Sequence, residues 1–272
     1  MSLASKLPYD HPYAGGYPGI GSQPLPIDAD ALDYLSRVKA ADGAGVEVGV
    51  ATAVSAFFRD SKAAGVFDAL KACCILAGAR TLAGALVPVV GDAPTNVADG
   101  FVEGDFSRTD GLTGDGTSYL DSGRAADDDP LNDAHLAVHV SESATSNTHY
   151  KAGAYNSGTQ QTILRSNFGS FLSAVNSGNF ASAGGGNDVG LFGASRFAAD
   201  SSEFRLLGVT TPDSTASGAA STQNVTIFAR NDGTPDGFFD GTIAFYSIGT
   251  SLSLEDLDTA VSNLITAIGE AL

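Results

Sequence analysis

The stretch Leu136-Ala137-Val138-His139-Val140 decides the fold class of this 272-residue chain. Its large apolar residues alternate with smaller or polar ones, which predicts a strand with one buried face. Other short apolar runs recur about every 8–15 residues from residue 81 to about residue 249, with turn clusters such as Asn231-Asp232-Gly233 between them. Because no run of helical periodicity interrupts them, the pattern favours an antiparallel β-sandwich over a doubly wound α/β fold.

The spacing of the apolar runs predicts eleven strands in this region. They are Leu86–Val90, Phe101–Phe106, Ser118–Asp121, Leu136–Val140, Tyr150–Tyr155, Thr162–Leu164, Phe168–Val175, Val189–Phe192, Phe204–Thr210, Val225–Arg230 and Thr242–Ile248. We assign residues 80–250 to the sandwich, which makes the protein mainly β.

Two segments of different composition precede the sandwich. Residues 1–27 are rich in Pro, Gly and Tyr, and repeated proline excludes a helix. They predict an extended arm that orders against another protein, or alternatively a flexible tail. Residues 28–79 predict a helical anchoring region of three helices, the third carrying Val66 to Cys74 on one side and ending at Gly78.

The last segment, residues 251–272, predicts one helix. Ser253 and Asp256 have the spacing of a capping box. One apolar stripe follows, formed by Leu254, Leu257, Val261, Leu264, Ile265 and Ile268. The stripe is too short for a coiled coil, so it indicates packing on the sandwich or at an oligomer seam.

The charge balance disfavours two classes of partner. The chain has 14 Lys and Arg against 31 Asp and Glu, a formal net charge of −17. Nucleic acids and anionic membranes are bound through Lys and Arg, so neither is an expected partner. The only cysteines, Cys73 and Cys74, lie in an apolar run and predict buried free thiols, and no signal peptide or membrane-spanning run is visible. These features favour assembly in a reducing compartment.

The chain contains four histidines that are candidate metal ligands. His135 and His139 are four residues apart, but on a strand that spacing separates them by about 13 Å. We expect both, with His11 and His149, to be hydrogen-bonded or exposed. The sequence therefore predicts no metal site at the histidines.

The densest acidic run is Asp127-Asp128-Asp129-Pro130. It belongs to residues 92–133, where eleven acids and two bases give a local charge of −9. Oxygen ligands on a loop suit Ca²⁺, but the spacing is not that of an EF-hand. A solvated acidic loop and a calcium site both remain open.

No catalytic motif is present. The sandwich contains Glu103, Glu142 and Glu203 but no paired-carboxylate pattern of a glycosidase, no Gly-x-Ser-x-Gly and no phosphate-binding loop. Asn224-Val225-Thr226 matches a glycosylation acceptor, which has no meaning in a chain that is not secreted. The sequence predicts a protein that is not an enzyme and has no catalytic residues and no cofactor.

The end of the β region resembles the closing strand of concanavalin A-like (laminin G-like) lectin and glucanase domains. The residues that carry this resemblance are Phe238-Phe239-Asp240-Gly241-Thr242-Ile243-Ala244-Phe245-Tyr246-Ser247-Ile248-Gly249 and the following Ser251–Leu257. The turn and strand at Gly114–Gly123 are similar to another element of these domains. The resemblance covers about residues 81–260 and implies a jelly-roll sandwich.

A second, narrower stretch, Asp68–Pro88, resembles the junction between helix and sandwich in virion proteins of tailed bacteriophages. It implies a structural protein of the particle, such as a head decoration, head fibre, or tail or baseplate fibre. Residues 1–80 would contact capsid, portal or tail proteins, and the chain would form a homo-oligomer, by analogy a trimer. The location implied is the virion, assembled in the host cytoplasm.

Two other functions remain open. In a carbohydrate-binding, receptor-recognising module, aromatic residues of loops stack on sugar rings. The candidates are Tyr155, Phe180, Phe197 and Phe239. A polysaccharide hydrolase is the remote alternative and requires two carboxylates at glycosidase spacing.

Overall fold

The structure is a computed structural model that describes residues 27–97, 100–145, 148–157, 160–184 and 187–272. Its helices are α1 (Ala29–Asp42), α2 (Val48–Ala63), α3 (Leu82–Ala85) and α4 (Leu254–Ala271). The first eight strands are β1 (Leu70–Ile75), β2 (Pro88–Val90), β3 (Thr95–Val97), β4 (Phe106–Ser107), β5 (Gly111–Thr113), β6 (Tyr119–Ala125), β7 (Ala134–Glu142) and β8 (Thr148–Ser157). The other eight are β9 (Gln160–Asn167), β10 (Ser170–Ser177), β11 (Ala181–Gly184), β12 (Gly190–Ala198), β13 (Ser201–Leu206), β14 (Val209–Asp213), β15 (Asn224–Ile227) and β16 (Thr242–Gly249).

Within the described ranges these strands form two antiparallel sheets. Sheet A has the order β14-β13-β12-β7-β16-β1-β2, and β5 pairs with both β16 and β4. Sheet B has the order β11-β10-β9-β8-β15-β6-β3. Neighbours in both sheets are often distant in sequence, as in the pairing of β15 with β6 and β8.

The helices add a third layer on the outer face of sheet A. Alternation along β7 sends Leu136 and Val138 into the core between the sheets, while Ala137 joins a second core under the helices. Phe57 of α2 meets Phe245 of β16 in this second core, with ring centroids 5.8 Å apart. Sheet A is therefore covered on both faces.

Helix α4 begins where the sequence predicts. The Ser253 hydroxyl accepts a hydrogen bond from the Asp256 backbone N–H, which satisfies one otherwise unpaired amide. Within this chain α4 packs on α2 and on β12 and β13. Its Asp258 forms a buried ion pair with Arg205 of β13 at 2.6 Å.

The prediction of a third helix at residues 66–78 is wrong. Residues 70–75 form strand β1, which lies between β16 and β2. Cys73 faces the helical core and Cys74 the sandwich core, so β1 has no polar face that would reveal a period of two. Both thiols are buried and free, as predicted.

Other strand predictions need correction. β7 has both faces buried, because the helices cover the one expected to meet solvent. Residues 204–210 form a hairpin of β13 and β14 that turns at Leu207-Gly208, and residues 103–105 form a short 3₁₀ turn in place of a strand.

The fold-class prediction is confirmed for the described residues: a mainly β antiparallel sandwich with a small helical region before it and a helix at its end. The arm predicted at residues 1–27 lies outside the described residues except for Ile27. The boundaries at residues 79/80 and 250/251 stay predictions. No helix in the described ranges combines the length and apolarity needed to cross a membrane.

Candidate functional site: a polar groove on sheet B

A groove of about 360 Å³ lies on sheet B where β6 and β15 meet the loop at residues 228–237. Alternation places Leu120 and Val225 in the core, so Asp121 and Thr226 point to the opposite face of the sheet. The groove is lined by Tyr119, Asp121, Thr222, Gln223, Asn224, Thr226, Asn231, Gly233 and Pro235. Carboxylate, amide and hydroxyl groups therefore dominate this concave surface.

Two of these side chains hold each other in place. The Asn224 amide Nδ2 donates to Asp121 Oδ1 at 3.0 Å and Oδ2 at 3.3 Å. The backbone N–H of Gly123 donates to Asp121 Oδ1 at 2.9 Å. A carboxylate offers about four acceptor positions, so Oδ2 keeps capacity for a donor from a ligand beyond these three bonds.

The loop at residues 228–237 supplies a second oriented amide. Asn231 Nδ2 donates to the Asn224 carbonyl at 3.0 Å, and its Oδ1 accepts from the Gly233 N–H at 3.0 Å. Arg230 anchors the same loop through Asp236, with Nε–Oδ1 at 2.9 Å. Polar groups that are fixed before binding do not have to be ordered when a ligand arrives.

Arginine side chains stack on aromatic rings of sheet B outside the groove lining. The Arg230 guanidinium lies 4.8 Å from the ring centroids of both Tyr150 and Tyr155. On the next strand, the Arg165 guanidinium lies 4.6 Å from the centroid of Phe180. These arrangements are cation–π contacts, which leave less ring surface open to a ligand.

The four aromatic residues predicted to stack on sugars do not form one surface. Tyr155 and Phe180 are the rings that arginine covers, and Phe239 is fully buried in the core. Phe197 is 45% exposed but lies on β12 of sheet A. The aromatic residue at the groove is instead Tyr119, which contacts Phe238.

The histidines lie apart from the groove. His135 bonds to the Thr250 carbonyl at 2.6 Å and to Ser247 Oγ at 3.0 Å, and burial lowers its pKa to about 4. His139 lies on the same face of β7 and is 7% exposed, with its pKa also lowered by burial. His149 contacts Phe239, and His11 lies outside the described residues. No group of three or more potential metal-ligating side chains forms in the described ranges.

The three aspartates at residues 127–129 differ in their exposure to solvent. Asp129 is buried and forms a bidentate pair with Arg124, at 2.7 and 3.0 Å. Asp127 and Asp128 are exposed, and Asp128 accepts a bond from the Ala125 N–H. The three carboxylates therefore do not converge on one point.

The predicted glycosylation acceptor is part of the groove. Asn224 bonds to Asp121 and Thr226 is fully buried. The sequence did not indicate Asp121 and Asn224 as binding residues, because these two residues are 103 positions apart. Only the sheet pairing of β6 with β15 brings them together.

Parts of the chain are similar to solved structures, including those of the following three proteins. Domains LG4-5 of the mouse laminin alpha1 chain match at 12% identity over 45% of this chain and 37% of that one, with a TM-score of 0.33. The CBM40 of Ruminococcus gnavus IT-sialidase matches at 15% identity over 55% and 96%, with a TM-score of 0.40. The leech intramolecular trans-sialidase matches at 17% identity over 51% and 23%, with a TM-score of 0.34.

These likenesses concern a partial fold and assign no function to this chain. The matches span well under two thirds of the laminin and leech chains. No protein-family model matches the sequence, and a search of curated proteins gives no match either.

Proposed function

We propose that this protein is a non-catalytic carbohydrate-binding module that holds a neutral glycan in the groove on sheet B. The observation that carries the proposal is the Asp121–Asn224 pair, fixed on the floor of an open polar groove. A sugar hydroxyl both donates and accepts hydrogen bonds. A carboxylate next to an amide offers the matching acceptor and donor.

The size and chemistry of the groove suit one or two sugar rings. Its volume of about 360 Å³ lies in the range of small-molecule sites. The Tyr119 ring at the groove provides an apolar surface for the C–H face of a sugar. Asn231 provides a further oriented amide.

The charge of the site favours a neutral ligand over an acidic one. Asp121 carries a negative charge in the groove, and the whole chain has a formal charge of −17. The neighbouring cation, Arg230, is already paired with Asp236 at 2.6 Å and with Asp232 at 3.4 Å. Sialylated or uronic-acid glycans would therefore meet repulsion, and the described residues that line the groove include no Lys or Arg to offset it.

The lining of the groove also supports binding without hydrolysis. Glycosidases of the common type place two carboxylates about 5–9.5 Å apart across the scissile bond. Among the described residues that line this groove, Asp121 is the one carboxylate. A single carboxylate held by an amide supports recognition better than acid–base catalysis.

A glycan array followed by titration calorimetry tests the proposal. We expect a neutral oligosaccharide to bind and Asp121→Ala to weaken it by about tenfold or more, because a hydrogen bond to a charged group contributes about 1.5–3 kcal/mol. The matched control is Asp127→Ala, which removes an exposed aspartate outside the groove. Equal loss in both variants, or binding confined to acidic glycans, would contradict the proposal, and a chelator arm reports whether Ca²⁺ takes part.

The role in a bacteriophage particle stays a prediction from the sequence. It concerns residues 1–80, of which residues 1–26 lie outside the described part. A glycan-binding sandwich on a particle surface is compatible with that role. Co-sedimentation with particles and light scattering of the purified chain test the particle association and the predicted homo-oligomer.

A further inference from the structure

Lys151 is a lysine with no exposed surface, in the core between the two sheets. Strand β8 bulges at this residue, since Tyr150 pairs with Arg165 and Ala152 pairs with Leu164. The bulge turns the Lys151 side chain into the core, next to the inward-facing Ala152. Lysine is among the residues least often fully buried, so this placement calls for a specific partner.

The ammonium group lies among aromatic rings and one carboxylate. Its Nζ is 5.5, 5.4 and 5.2 Å from the ring centroids of Phe171, Phe192 and Phe239. The same atom is 2.5 Å from Oδ2 of Asp188, which is 3% exposed. Both partners of this pair are therefore removed from water.

Hydroxyl and imidazole groups complete the cluster. Lys151 Nζ donates to Ser166 Oγ at 2.6 Å and lies 3.2 Å from His149 Nε2. On the other side, Ser143 Oγ donates to Asp188 Oδ1 at 2.6 Å. The two oxygens of Asp188 thus have different partners, one the amine and the other a hydroxyl donor.

We propose that Lys151 and Asp188 condense to form an amide bond that links β8 of sheet B to the segment just before β12 of sheet A. One of the three ammonium protons first passes from Nζ to Oδ2, the neutral amine then attacks Cγ of Asp188, and a second proton follows to Oδ2. Oδ2 then leaves as water, and the third proton stays on the amide nitrogen. Atoms and charge balance, because an ammonium and a carboxylate become a neutral amide and one water.

The neighbours of the pair favour each step of this condensation. The Ser143 hydroxyl stabilises the charge that develops on Oδ1, and His149 Nε2 is placed to relay a proton from Nζ. Burial lowers the pKa of the Lys151 amine and so favours its nucleophilic form. Two reacting groups held in contact behave as if at very high concentration.

Burial also decides the direction of the reaction. Water drives hydrolysis of an amide, and the enclosed site excludes it. The product further removes two charges whose burial in an apolar core is costly. The exposed Lys62 offers the opposite case, since it contacts Asp28 and Asp30 at 2.7 and 2.6 Å in the presence of solvent. We therefore expect no amide bond between Lys62 and either of these aspartates.

Intact-mass measurement of the denatured, purified full chain tests the proposal. We expect a mass below that of the sequence by one water, about 18 Da. Peptide mapping should find one branched species joining the peptides of Lys151 and Asp188, and none joining Lys62 to its aspartates. The full sequence mass, with Lys151 in an unbranched peptide, overturns the proposal.

Two variants separate this bond from other dehydrations. Lys151→Met should restore the full mass expected for its sequence, whereas the matched control Lys62→Met should keep the deficit. A deficit that persists in Lys151→Met would assign the lost water to another site and overturn the proposal. The peptide map of the wild-type chain decides the question even where Lys151→Met folds poorly, and neither measurement depends on glycan binding.

Discussion

Substitution of Phe57 by alanine tests whether the helices and the sandwich form one cooperative unit. Phe57 is 1% exposed and lies in the core between α2 and sheet A. Its ring is perpendicular to that of Phe58 at 6.0 Å and meets Phe245 of β16 at 5.8 Å. The side chain therefore joins the helical layer directly to the centre of the sheet.

The expected loss follows from the volume removed. A buried Phe→Ala change costs about 3–5 kcal/mol of unfolding free energy, including the cavity that remains. Each aromatic pair contributes about 0.5–1.5 kcal/mol beyond its buried area, which places this site in the upper part of that range. We expect a loss of about 4 kcal/mol.

Guanidinium chloride unfolding, followed by circular dichroism and by tyrosine fluorescence, measures the loss. The matched control is Phe168→Ala, which removes a ring that is 78% exposed. It should change the unfolding free energy by less than about 0.5 kcal/mol. A loss below about 1 kcal/mol for Phe57→Ala, or separate transitions for the two probes, would refute the cooperative three-layer core.

Three further substitutions or conditions have defined outcomes. Phe168→Asn should raise the unfolding free energy by about 1 kcal/mol in the same denaturation assay, because Phe168 has φ 49° and asparagine tolerates that region; no gain would contradict this. Asp258→Ala should lower the unfolding free energy by about 3–5 kcal/mol, because it leaves the buried Arg205 without its ion-pair partner. The control Asp33→Ala, which breaks an exposed ion pair, should cost less than about 1 kcal/mol. Equal costs for the two variants would argue against the buried pair. Thermal unfolding should show that the unfolding free energy falls as the pH is lowered from about 6.5 to 4, by up to about 1.4 kcal/mol per pH unit. The reason is that His135 binds a proton in the unfolded chain over this range but not in the folded chain. An unchanged slope in His135→Gln would contradict this.

The sequence predicted strands in which large apolar residues alternate with smaller or polar ones. The alternation of Leu136 and Val138 placed β7 correctly, and Ser253 marked the start of α4. It did not predict β1, because residues 70–75 pack against two cores and have no polar face. Tertiary packing, rather than local pattern, decided that segment.

Two hairpins were predicted with errors that have the same local reason. They turn at Phe168-Gly169 and at Leu207-Gly208, and all four of these residues have positive φ. Tight hairpins normally use Asn or Asp before the glycine, because these residues accept such angles. A large apolar residue at that position looks like part of a strand. The strand predicted at residues 204–210 therefore ran through its turn, and the strand predicted at residues 168–175 began on the two turn residues, before β10 starts at Ser170.

The groove and the buried cluster depend on pairings that sequence spacing does not show. Asp121 meets Asn224 across 103 positions, and Lys151 meets Asp188 between two sheets. A residue such as Lys151 looks like an ordinary surface lysine in an alternating strand. Its burial follows from a one-residue bulge, which no local signal in the sequence reveals.

Amide chemical-shift mapping with a neutral oligosaccharide selected from the array tests the central claim most directly. We predict that the amide signals of Asp121, Gly123, Asn224 and Gly233 shift together as the sugar is titrated. Signals from β7, which is buried between two cores, should stay in place. Shifts centred on the helical face or on residues 127–129, with the groove unaffected, would contradict the account.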